Sequence, residues 1–104
     1  MARYTSPSTL FLGTLESVPF THADLELPEE PGVYFVATKT RKSIIYVGQS
    51  QNMRLRWKDG HHRALECLRH GADRIYYQLT EEPYDLEQLY IQDFRPTLNR
   101  TGMG

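Results

Sequence analysis

Two short runs of β-branched and aromatic residues, Gly32-Val33-Tyr34-Phe35-Val36 and Ile44-Ile45-Tyr46-Val47, stand on either side of a polar stretch, Lys39-Thr40-Arg41-Lys42-Ser43. Residues of this kind suit a pleated, half-buried surface, and a polar interval of this length joins two strands into a hairpin. The hairpin constrains everything after it, because the remaining elements must pack on a small antiparallel sheet. Tyr34 and Tyr46 are twelve positions apart. They have the same parity about a hairpin centred near Thr40, so they are same-face neighbours if the turn holds an odd number of residues. Alternate tyrosines in strands are usually packing residues, and periodicity alone favours that reading.

Downstream, Ser50 or Asn52 can cap a short helix carrying Met53, Leu55 and Trp57, which Gly60 ends. The first two apolar side chains and Trp57 are expected in the core. A second helix is expected from about His61 to His70, with Ala64, Leu65 and Leu68 on one face and Gly71 as its stop. Arg74-Ile75-Tyr76-Tyr77-Gln78-Leu79 reads as a third strand. Pro83 then opens a helix that reaches about Phe94 and is ended by Pro96. The order ββααβα gives an α+β fold with a small antiparallel three-stranded sheet flanked by helices.

Upstream, Leu10, Phe11, Leu12 and Leu15 suggest an apolar segment that packs on the core, with a short edge strand as one form it can take. Pro28 and Pro31 bracket an acidic turn. Residues 1–28 therefore read as an N-terminal extension packing on the core of a domain at 29–104. A chain of 104 residues has single-domain length and can bury roughly two-thirds of its unfolded surface. The lone cysteine, Cys67, has no partner at disulfide or zinc spacing and is expected in the core. The N-terminus lacks the apolar run of a signal peptide, and no stretch approaches the roughly 18 apolar residues of a membrane span, so a cytoplasmic location and no membrane partner are expected.

The net charge of −1 argues against a nucleic-acid partner, but the charges are unevenly spread. Residues 31–63 hold seven cations against Asp59 alone, between two acidic flanks. Such a segment can bind phosphate locally with strong salt dependence, or it can be a solvated basic loop.

The last helix carries the most informative residue. At 100° per position, Pro83, Leu86, Tyr90, Phe94, Ile91 and Tyr84 share an arc, and Glu87 falls inside it. A carboxylate on an apolar face must be paired with a cation, bound to a metal or protonated. A structural salt bridge to an arginine is the plain alternative.

The sequence Gly32-Val33-Tyr34, then Tyr46-Val47-Gly48, then Gln49 to Trp57 with Arg56 eight positions after Gly48, resembles the signature of the GIY-YIG nucleases, with valine at each central isoleucine. Glu87 to Ile91 and Arg95-Pro96-Thr97-Leu98-Asn99 are similar to that family's glutamate helix and terminal Pro-x-x-Asn. The resemblance covers about residues 30 to 100. Arg54 is the near neighbour that could take the place of Arg56.

The resemblance implies a divalent-metal-dependent endonuclease that hydrolyses DNA phosphodiester bonds, in repair, recombination or mobile-element processing. Tyr34, Tyr46, Arg56, Glu87 and Asn99 would be its catalytic residues, with His61 assisting, and Gly48, Ser50, Arg54 and His62 would contact substrate. Glu87 would hold Mg²⁺ or Mn²⁺ with water and phosphate oxygens completing the shell. Arg56 would stabilise transition-state charge, Tyr34 would accept a proton from water, Tyr46 would position water or phosphate, and Asn99 would orient the glutamate helix or substrate. A histidine often assists in this family, and either His61 or His62 can match it. No long addition supplies sequence recognition, which leaves specificity to DNA structure, a protein partner or a homo-oligomer. The alternative is a catalytically weak or inactive GIY-YIG-fold module that binds DNA or protein.

Overall fold

A computed structural model describes residues 7–21, 25–40, 43–58 and 61–99. Arg41 and Lys42 of the hairpin turn, together with Asp59 and Gly60, lie outside them. In chain order the elements are α1 (Pro7–Leu12), β1 (Glu16–Pro19), β2 (Gly32–Thr38), β3 (Ile44–Ser50), α2 (Met53–Lys58), α3 (Ala64–Arg69), β4 (Ala72–Leu79) and α4 (Pro83–Phe94). Among the described residues, no helix is long and apolar enough to cross a membrane.

The sheet has four antiparallel strands rather than the expected three, in the order β1-β4-β2-β3. The additional strand falls at Glu16–Pro19, where alternation is too short to read. The apolar run before it forms α1 instead of an edge strand. The cause is tertiary: Phe11 sets its ring against Phe35, Tyr90 and Phe94 at centroid distances of 5.3, 5.0 and 5.4 Å. Residues before Pro28 thus contribute a strand and core side chains, Leu12, Phe20, Leu25 and Leu27.

β2 is covered on both faces, which explains its unbroken apolar run. One face carries Tyr34, Val36, Ile45, Tyr46 and Ile75 beneath Met53, Trp57, Ala64 and Cys67 of α2 and α3. The other carries Val33, Phe35, Ala37, Ile44, Val47 and Tyr76 beneath α1 and the Leu86, Tyr90, Ile91 and Phe94 side of α4. In the β2–β3 pair Val36 opposes Tyr46 while Ala37 opposes Ile44, so Ile45 is an extra residue. This bulge lets Ile45 and Tyr46, adjacent in sequence, enter the same core.

The helices correct two expectations and decide a third. Leu55 is 63% and Leu65 64% exposed, because helices of six residues bury only what their neighbours cover, here Met53 with Trp57 and Ala64 with Cys67. The second helix begins at Ala64, with His61 to Arg63 as a turn before it. Asn52 is the cap of α2, its Oδ1 accepting the Leu55 N–H at 3.0 Å.

α4 ends with Arg95 in the left-handed conformation (φ 47°), and Pro96 turns the chain back along β3. There the N–H groups of Thr97 and Leu98 donate to the carbonyls of Ile44 (3.4 Å) and Ile45 (2.8 Å). The Asn99 side chain continues the ladder in place of a backbone. Its Oδ1 accepts the Val47 N–H at 2.8 Å and its Nδ2 donates to the Val47 carbonyl at 3.1 Å.

Candidate active site

The register places Tyr34 opposite Gly48 and Val36 opposite Tyr46, so both tyrosines project from one sheet face. The turn itself, pairing Ala37 with Ile44, holds an even number of residues, and it is the extra residue Ile45 that restores the expected parity. Their ring centroids are 6.5 Å apart. Gly48 makes this possible: a Cβ there would overlap the Tyr34 ring, which lies across the glycine. Gly48→Ala is expected to push Tyr34 aside and cost about 1 to 2 kcal/mol of stability. Urea unfolding of the variant measures this, and an unchanged midpoint would show that the ring has another place to go.

His61 is buried between these tyrosines and Trp57, with 4% of its surface exposed. Its Nδ1 accepts the Arg63 N–H at 3.1 Å. Burial, reinforced by the charges of Arg56, His62 and Arg63, lowers its pKa to about 3. The neutral ring therefore carries its proton on Nε2 and donates it to Tyr34 Oη at 3.2 Å. The Tyr34 hydroxyl is an acceptor in this pair.

Burial raises the pKa of Tyr34 above the ordinary phenol range, as does neighbouring Tyr46. The charge and hydrogen bonding of Arg56 oppose this, and the charge of Glu87 adds to it. Burial also raises Tyr46, against the charges of Arg63 and then Arg56, and Glu87 again adds to the rise. Arg56 and Glu87 therefore both act on the two phenols. Arg54 lines a separate surface cavity of about 450 Å³ with Glu29, Asn52, Leu55 and Lys58.

Glu87 is half-buried between Phe94 and Ile91 on the α4 face, whereas Tyr84, assigned to the same arc, is 62% exposed. The helix is rotated so that Leu86, Tyr90, Ile91 and Phe94 meet the sheet. Burial raises the Glu87 pKa, against a hydrogen bond donated by Gln88 Nε2 to Oε1 at 3.1 Å. No cation among the described residues pairs with this carboxylate. Nor do the described residues bring three metal-ligating side chains together. A single half-buried, cation-free carboxylate fits a hard divalent ion that takes one protein oxygen and fills its shell with water and phosphate.

The other expected contacts divide. Asn99 is buried and both ends of its amide are engaged by Val47, so it positions the backbone between Tyr46 and Gly48. Ser50 is spent on the turn into α2, its Oγ accepting the Asn52 N–H at 3.0 Å and donating to the Asn52 carbonyl at 2.9 Å. His62 is exposed, and its Nδ1 accepts from Arg56 Nη2 at 3.3 Å.

Arg63 is the residue that sequence reading missed. Its guanidinium carbon lies 5.8 Å from the Tyr46 ring centroid, and Nη1 donates to Glu66 at 3.1 Å. The i, i+3 spacing to Glu66 was visible in the sequence, but its position over Tyr46 depends on the turn at His61–Arg63.

No family model and no curated protein matches the chain. By its fold, the chain is a small GIY-YIG-like α+β domain. The magnesium-bound N-terminal GIY-YIG endonuclease domain of UvrC from Thermotoga maritima is similar with a TM-score of 0.58 and 26% identity, over 70% of this chain and 86% of that one. An asparagine-to-alanine mutant of that domain, bound to its catalytic divalent cation, matches with a TM-score of 0.59 and 26% identity over the same shares of both chains. A tyrosine-to-phenylalanine mutant, also cation-bound, matches with 0.59 and 25%, again over 70% and 86%. The similarity supports a nuclease-type function at the level of the fold.

Proposed function

We propose that this chain is a divalent-metal-dependent endonuclease that hydrolyses DNA phosphodiester bonds. The observation that carries the reading is that two phenols of one sheet face lie in the electrostatic reach of both Arg56 and Glu87, a carboxylate with no cation partner among the described residues. The endonuclease domain that this fold resembles binds a catalytic divalent cation.

Glu87 would hold Mg²⁺ or Mn²⁺, which when bound supplies Lewis-acid charge at the phosphate oxygens. Arg56 presents planar donors to those oxygens and stabilises the charge that develops on them. Tyr34 takes the proton of the attacking water. It must do so as a phenolate, which burial disfavours and which the His61 Nε2–H and the Arg56 guanidinium stabilise. Tyr46, with Arg63 beside its ring, positions the water or the phosphate. Asn99 keeps the strand beneath both tyrosines in register.

The test is Mg²⁺-dependent cleavage on a panel of duplex, branched, flap and single-stranded DNAs, together with DNA affinity measured against salt. Cleavage is expected to stop on chelation. Affinity is expected to fall steeply with salt, since each phosphate neutralised by the cations of residues 31–63 contributes a log–log slope of about −0.9 on duplex DNA. Salt-dependent binding without cleavage on any substrate would leave a DNA-binding module, and a flat salt response would exclude nucleic acid as the partner.

A further inference from the structure

Three rings are stacked from the core outward. Trp57, 1% exposed, lies under His61 with centroids 4.2 Å apart and planes 27° apart, and His62 lies on His61 at 4.5 Å and 21°. His62 is exposed, and its inner face is covered by His61, so what it offers to solvent is its outer face and edges. The plane of this outer ring is held at its edge, where Nδ1 accepts from Arg56 Nη2 at 3.3 Å. A flat aromatic surface that continues a buried stack is thus fixed beside the guanidinium assigned to the phosphate.

We propose that the outer face of His62 receives an unpaired nucleobase next to the phosphate on Arg56, so that DNA with a splayed or single-stranded nucleotide is the preferred substrate. The inference rests on the nuclease reading. A nucleotide joins its base to its phosphate through one sugar, so a base on His62 and a phosphate on Arg56 belong to the same or adjoining nucleotides. A base inside a duplex has both faces stacked already, and reaching the ring would cost a few kcal/mol of unstacking. An unpaired base has a free face, and stacking on an aromatic ring is tolerant of base identity.

The experiment measures binding without divalent metal, so that nothing is cut. It uses three otherwise identical duplexes: one with a single unpaired fluorescent aminopurine, one abasic at that position, and one fully paired. The aminopurine duplex is expected to bind roughly fivefold or more tightly than the abasic one, with its fluorescence quenched on stacking. His62→Ala should remove both the preference and the quenching, and His62→Tyr, which keeps a ring, should retain them. His62→Gln keeps an acceptor for Arg56 without a ring and should behave like His62→Ala. The proposal is overturned if His62→Ala keeps the preference, or if His62→Gln keeps it and His62→Tyr loses it. If all three duplexes bind equally and with steep salt dependence, the base site fails while the nuclease reading stands. If none binds, both fail.

Discussion

Glu87→Gln is expected to lower metal-dependent cleavage by at least about 10³-fold while leaving the fold and most of the DNA affinity in place. Glutamine matches glutamate in shape and helix propensity but lacks the charge that a hard cation requires. Burial already disfavours the Glu87 carboxylate in its charged form, and no cation among the described residues depends on it. The substitution should therefore leave stability unchanged or slightly higher. A buried ion pair would behave in the opposite way, since removing one partner typically costs about 3 to 5 kcal/mol. Thermal melting without metal, Mn²⁺ binding by calorimetry and cleavage with Mg²⁺, all on the same variant, separate the two. A strongly destabilised variant would make Glu87 a structural residue, and a stable variant that still cuts would remove it from the metal site.

Acid is expected to destabilise the domain through His61, beginning near neutrality rather than in the carboxylate range. The folded-state pKa of about 3 lies below the ordinary value of 6.5, so below pH 6.5 the unfolded chain takes up a proton that the folded one refuses. The contribution of His61 to stability is complete above that pH and is lost as pH falls toward 3, by about 3 kcal/mol between pH 7 and pH 4. Protonation would also force a charge into the stack on Trp57 and place a proton on Nδ1 against the Arg63 N–H. In His61→Gln, which cannot titrate, urea unfolding free energies should change much less over the same interval, although the variant is less stable at pH 7. An equal slope in both proteins would mean that another group drives acid unfolding.

The parts of this architecture that were legible in the sequence are those set by short-period geometry. Strand alternation made a shared face for Tyr34 and Tyr46 legible as an expectation, but the turn pairs Ala37 with Ile44, which alone would separate them, and the extra residue Ile45 restores the shared face by pairing Val36 with Tyr46. The ends of α4 were legible because Pro83 and Pro96 bracket it. Faces of short helices were not. Leu55 and Leu65 are apolar, but in helices of six residues periodicity cannot decide which side a neighbour covers. In α4 the arc was read one residue too wide, since Tyr84 at its edge is 62% exposed. Arg63 and the working tautomer of His61 depend on a backbone turn, and no residue pattern encodes which ring nitrogen an amide will meet. Asn99 was found through the resemblance, but its use as a substitute for backbone against Val47 is a property of the returning chain.

That returning chain determines how other proteins can attach. A bare strand edge offers a row of main-chain groups to any passing chain. Here the outer side of β3 is already occupied by Thr97, Leu98 and the Asn99 amide, and the opposite margin is the four-residue β1 ending in Pro19, which has no amide hydrogen to give. A neighbour therefore finds little ladder to extend at either margin. Recognition of this domain by another polypeptide would be written in side chains, where single substitutions can tune or abolish it, rather than in the sequence-blind grammar of strand addition.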